Sequence, residues 1–136
     1  MLRAAAILLL ALALASSAGA QLLDCRSGQR PTEVVQLFFG RNIGNRLGVS
    51  ESAWARFVER EIVPRFPDGH TVFDATGRWR DRAANRVVRE PSKIVEIVLP
   101  GMPEDMAHLN EIVEAYKSRF KQQSVGIIVR PACVSF

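Results

Sequence analysis

Apolar residues gather in four short stretches that read as strands. Val34 to Phe39 is β-branched and aromatic and stops at Gly40, and Ile94 to Leu99 is apolar except for Glu96 and stops at Pro100. Val125 to Val129 is a third such run, and Thr71 to Thr76, closed by Gly77, is a weaker fourth. Runs of this length and composition, bounded by Gly or Pro, predict strands. Two other segments carry a helical period. Trp54, Phe57, Val58 and Ile62 follow Ser50, a predicted N-cap, and the pattern ends at Pro64 and Pro67. Met106, Leu109, Ile112, Val113, Tyr116 and Phe120 mark the second stripe, with Glu104 and Asp105 in its first turn where they complement the helix dipole. The Arg-rich segment from Arg78 to Arg86 is expected to turn the chain back. Pro91 cannot donate to a ladder, so the third strand is expected to begin after it or to bulge there.

The resulting order, β-α-β-β-α-β, predicts an α+β domain: a ferredoxin-like sandwich whose antiparallel four-stranded sheet has strand order 4-1-3-2 and carries both helices on one face. Strand alternation then sends Val35, Leu37, Phe39, Val95, Ile97, Leu99, Val125, Ile127 and Val129 towards the helices. The other face carries Gln36, Glu96 and Arg130 from three adjacent strands, among apolar neighbours such as Phe38 and Ile94. An open face that apolar predicts an interface, hence a homodimer.

The chain's first residues stand apart from this domain. Arg3 precedes an apolar run from Ala4 to Ala15, and Ser16 to Ala20 offers small residues in an A-x-A arrangement. This predicts a signal peptide over residues 1–20 and a mature domain over residues 21–136, exported to the periplasm or secreted, with no stable membrane insertion after cleavage. A lipoprotein anchored at Cys25 is the alternative, disfavoured by Asp24 just before that cysteine. The mature chain keeps 17 basic against 14 acidic residues, net +3, too mild for a general polyanion binder. Cys25 and Cys133 are the only cysteines. In an oxidising compartment the pair predicts a disulfide, and the topology brings the start of the first strand beside the end of the fourth.

Candidate chemistry is sparse. From Arg78 to Lys93 there are six basic and two acidic residues, so positive charge is concentrated in one segment. Arg41, Asn42, Arg78, Trp79 and Arg80 are predicted to share one edge, where guanidinium forks suit a small carboxylate or phosphate ligand and Trp79 can stack. The competing expectation is a solvated hairpin tip. Gln36, Glu96 and Arg130 are the open-face candidates, either lining a small-molecule cavity or simply paired with each other. Neither His70 nor His108 finds partners for a metal, HExxH, GxSxG, P-loop and CxxC motifs are absent, and no metal or cofactor is predicted. Nucleic acid is not expected either, because the third strand lacks aromatics on which bases would stack.

Several segments resemble a known family. They are Phe38-Phe39-Gly40-Arg41, Trp54 with Phe57, Pro64-Arg65-Phe66-Pro67-Asp68-Gly69, Gly77-Arg78-Trp79-Arg80, Arg89-Glu90-Pro91-Ser92-Lys93 and the ending Val134-Ser135-Phe136. Together they are similar to domain-of-unknown-function family 3574, over nearly the whole mature chain. The resemblance implies small exported bacterial proteins and carries no activity, cofactor or catalytic residue. The expected function is therefore a binding or interaction module, with a small anion as ligand. The alternative is a metal-independent enzyme of dimeric α+β barrel type acting on a small organic molecule.

Overall fold

A computed structural model describes residues 24–136; the predicted signal peptide lies outside the described residues. Strand β1 (Arg30–Gly40) leads into a two-residue hairpin, β2 (Asn42–Ile43) and β3 (Arg46–Leu47). Helix α1 (Glu51–Phe57) runs into a π-helical turn over Val58–Ile62, and the long hairpin β4 (Thr71–Asp81) and β5 (Arg86–Val98) follows. Helix α2 (Asp105–Phe120) and strand β6 (Gly126–Val134) complete the chain.

The α+β plan is the expected one: a four-stranded antiparallel sheet and two helices. Its order is β4-β5-β1-β6. Written this way it differs from the expected 4-1-3-2, because β2 and β3 form a separate small hairpin and shift the labels. The four long strands alone follow one another as fourth, first, third, second.

Local chemistry accounts for the elements. Ser50 caps α1, its Oγ accepting from the Ala53 backbone N–H at 3.1 Å. Asp105 Oδ2 accepts from the backbone N–H groups of Gly101 and Met102, tying the turn before α2 to the helix start. Lys121 closes α2 in a left-handed conformation. The fully buried Val35, Leu37, Phe39, Val95 and Ile97 of the sheet pack on Phe57, Leu109, Ile112 and Tyr116, with Trp54 and Phe120 at the margins. Two expectations about this core need correction. Met106 is exposed, and Ile127 and Val129 keep more than a third of their surface because β6 is an edge strand reaching past the helices.

The third long strand also begins earlier than expected. The β4–β5 register is unbroken from Thr71 opposite Glu96 to Asp81 opposite Arg86, with Pro91 opposite Thr76 and no bulge. Pro91 is tolerated because β1 pairing with β5 ends at Gly40 opposite Ser92. The Pro91 carbonyl accepts from the Arg41 N–H at 3.0 Å. In an antiparallel strand a residue's N and C=O point the same way, so the missing donor faces Arg41, whose carbonyl is already taken by the Gly48 and Val49 N–H groups. Cys25 and Cys133 are joined, their Cα atoms 5.5 Å apart, which fits an oxidising environment. Among the described residues no helix is long and apolar enough to cross a membrane.

Candidate functional site

The unbroken β4–β5 ladder fixes which side chains share a face. Cross-strand partners point the same way, so Phe73, Ala75, Gly77 and Trp79 lie with Ile94, Ser92, Glu90 and Val88 on the sheet face away from the helices. Phe38 and Gly40 join them from β1, and Gly126 from β6. At the end of the sheet where the β2–β3 hairpin, the β4–β5 hairpin and the Lys121–Ser124 loop meet, this face hollows into a cleft of about 680 Å³. Its floor is made of small residues, Gly40, Ala75, Gly77, Ser92 and Gly126, and its apolar walls are Phe38, Ile94, Val88 and Trp79. Asn42, Asn45, Gln122 and Gln123 supply a polar rim.

Two carboxylates border this cleft: Asp81 caps the hairpin turn at its rim, and Glu90 is fixed within it. Glu90 Oε1 accepts from the Asn42 backbone N–H at 2.9 Å, and Oε2 accepts from the Trp79 indole N–H at 3.1 Å. Gly40 makes room for it, since a Cβ there would sit 2.6 Å from Oε1. The rim is braced as well: Gln122 donates to the Asn42 carbonyl at 2.7 Å, and Arg86 donates to Asn45 Oδ1. Behind the floor, the Tyr116 hydroxyl donates to the Gly40 carbonyl at 2.8 Å. Burial pushes that hydroxyl well above its ordinary range, with the Glu90 charge adding to the rise against the pull of Arg41, so it stays a protonated donor.

The predicted basic edge divides between two faces. Asn42 and Trp79 belong to the cleft, while Arg41 turns the other way and is only 6% exposed. Its Nε and one terminal nitrogen donate to the Val49 carbonyl, and the other terminal nitrogen donates to Glu51. Arg41 is thus committed to holding the β3–α1 connection and is not free for a ligand, a correction to its expected role. The reason is register: one residue past Gly40, the side chain falls on the helix side. By the same alternation Arg78 and Arg80 project from the hairpin away from Trp79, though Arg78 also borders the cleft. Arg80 donates to Asn85 Oδ1 at 3.3 Å.

The three open-face candidates do meet, at the far end of the sheet. Gln36 donates to Glu96 Oε2 at 2.8 Å, and Arg130 donates to the same oxygen at 3.2 Å. They satisfy one another, and the cleft does not include them. Sequence reasoning missed Glu90, the carboxylate that does occupy the cavity. Its signal was the alternation Val88, Glu90, Ser92, Ile94, obscured because Pro91 read as a strand boundary.

On the helix side, buried Lys93 bridges Glu51 and Asp74. Hydrogen bonding from Lys93 holds both carboxyl groups below their ordinary values, with Coulomb attraction adding to it against a smaller opposing effect of burial. For Lys93, burial pulls downward, but the bonds to Asp74 and Glu51 outweigh it and its value is raised. Lowered carboxyl values mean stability that is present above the ordinary carboxylate range and lost as pH falls through the folded values. A Lys93→Met protein is therefore expected to be less stable than wild type near neutrality, and the gap should narrow as pH falls from about 5 to about 3. Urea midpoints across that range check this; a constant gap would show that the ion pairs do not titrate with folding.

Comparisons with known proteins agree with this architecture. A family model, DUF3574, described as a protein of unknown function, matches residues 34–136. No curated protein matches the sequence. Among solved structures, a phage SAM lyase in complex with S-methyl-5′-thioadenosine is similar, with 16% identity over 85% of this chain and 95% of that one and a TM-score of 0.60. The phage SAM lyase in its apo state matches at 18% identity over 85% and 96% of the two chains, with a TM-score of 0.57. Identities this low make the likeness one of fold.

Proposed function

We propose that this chain, which belongs to the DUF3574 family, binds a small organic molecule in the open-face cleft. A flat, weakly polar group would lie against Phe38 and Trp79, and a cationic or N–H donor group would meet Glu90. The observation that carries this reading is the carboxylate itself. Each of its oxygens receives one N–H donor, yet an ionised carboxylate has about four acceptor positions. Among the described residues no ammonium or guanidinium group pairs with it. A fixed, unneutralised carboxylate beside aromatic walls favours a cation through both Coulomb and cation–π attraction. It disfavours the anion that the basic composition of the segment implied.

The fold shared with a lyase that holds S-methyl-5′-thioadenosine makes adenosyl thioethers and SAM the first ligands to try, and keeps a metal-independent enzyme as the second reading. The proposal includes export of the domain and a homodimer on the open face, where exposed Phe73, Trp79 and Ile128 would meet a second copy and cover the cleft.

A thermal-shift screen of adenosyl thioethers, SAM and aromatic amines tests the binding. At a concentration 100 times the dissociation constant, a ligand stabilises by about 2.7 kcal/mol, a shift of several degrees for a domain this size. Glu90→Gln should abolish the shift with little change in unliganded stability. Gly40→Ala should weaken it, because the new methyl displaces the carboxylate. A shift that survives Glu90→Gln would overturn the assignment of the site, and chromatography of the incubated ligand separates binding from turnover.

A further inference from the structure

We infer that the reverse side of the β4–β5 hairpin, the face opposite Glu90, is a second site where Arg78, which also borders the cleft, holds a phosphate group together with Arg89 and Arg80. The register makes Arg78 and Arg89 direct cross-strand partners, with Arg80 two residues further along the same face. Directly opposed residues have Cβ atoms roughly 4.5–5.5 Å apart, and diagonal neighbours lie within about 8 Å. All three arginines are exposed.

Like charges directly opposite each other destabilise a strand pair, and a carboxylate would normally relieve them. The two acids between Arg78 and Lys93 are diverted from that task. Asp81 Oδ1 accepts from the Ala83 and Ala84 backbone N–H groups and caps the turn. Glu90 serves the cleft on the other face. Among the described residues no carboxylate pairs with Arg78, Arg80 or Arg89, whereas Arg41, Lys93 and Arg130 are each neutralised. The register thus sets two arginines directly opposite each other with no carboxylate partner among the described residues. A phosphate fits this gap: two planar forks offer paired N–H donors, and its oxygens accept from both at once. A phosphate ester in solution and a phospholipid headgroup share that chemistry.

The test uses the mature protein, inorganic phosphate as one probe, and vesicles of phosphatidylglycerol and phosphatidylcholine against phosphatidylcholine alone as the other. Phosphate should raise the melting temperature saturably by a few degrees beyond chloride at equal ionic strength. The vesicle arm should show sedimentation with the anionic vesicles only if a lipid headgroup is the source. The double variant Arg78→Gln/Arg89→Gln should lose whichever response wild type gives. Its unliganded melting temperature should be equal or higher, since a repulsion has been removed. Glu90→Gln should keep the response, so failure here and failure of the cleft proposal remain distinguishable. A response retained by the double variant, or neither phosphate nor anionic vesicles bound by wild type, would overturn the site.

Discussion

Replacing Cys25 and Cys133 with serine should lower the unfolding free energy by about 4 to 5 kcal/mol in the chain-entropy picture of a cross-link. The pair closes a loop of 108 residues, so nearly the whole described domain lies inside it. For a domain this size that loss corresponds to a fall of roughly 15–25 °C in melting temperature. Geometry adds a local effect. Cys133 sits on the edge strand β6 opposite Pro31, and Cys25 precedes β1, so the bond pins the outer end of the edge to the segment that leads into β1. Freed of it, β6 would fray at Ala132 to Val134 and leave β1 unpaired along that side, exposing a strand edge to association. Urea unfolding of the oxidised protein, the reduced protein and the double serine variant measures the effect. Coincident midpoints would mean that the loop constraint contributes nothing to the folded state.

The sequence made the apolar half of this fold readable. Val35, Leu37 and Phe39 alternate cleanly because one face of β1 meets the helices, and the Leu109–Ile112–Val113–Tyr116–Phe120 stripe is long enough to carry a period unambiguously. The hairpin overhang was not readable in this way. Beyond Gly77 the strands lack helix cover, so no burial pattern marks them. They are held by ladder bonds, by the Trp79 indole on Glu90 and by Asp81 at the turn. Proline adds to the concealment: Pro91 breaks a strand pattern on paper but sits where β1 has already ended.

The site suffered most from this, because its contents depend on register. The concentration of arginines between Arg78 and Lys93 was visible, but their division between two faces was not. Glu90 looked like a minority charge in a basic run, yet alternation places it in the cleft, on the same face as Ser92 and Ile94. Arg41 looked exposed, yet a single step past Gly40 turns it inward, where the Val49 carbonyl and Glu51 satisfy it. In each case the residue type was informative and the face was not.

The second large effect concerns the ring on which the core and the cleft floor both depend. Phe39→Ala should cost about 3–5 kcal/mol, from the lost transfer free energy together with the cavity left behind. Phe39 is fully buried, with its ring centroid 5.2 Å from that of Trp54, 5.9 Å from that of Phe57 and 4.7 Å from that of Tyr116. Its rigid neighbours meet it tilted or edge-on, in geometries that aromatic pairs favour. Such rings cannot flow into the space a missing phenyl leaves, so the upper part of the range is expected. Phe39→Leu, which keeps most of the volume, should cost much less. The consequence should reach the ligand site through one bond. Tyr116 packs on Phe39 and donates to the Gly40 carbonyl, and Gly40 in turn underlies the Glu90 carboxylate. If that chain of contacts positions Glu90, Phe39→Leu and Tyr116→Phe should both weaken binding of the cleft ligand while the protein stays folded. The phosphate response of the hairpin's reverse face should be unchanged in both. Denaturant titrations give the stability differences, and ligand titrations at a temperature well below the melting point give the affinities. Full ligand affinity in Tyr116→Phe would show that the cleft floor is held by the β1–β5 ladder alone.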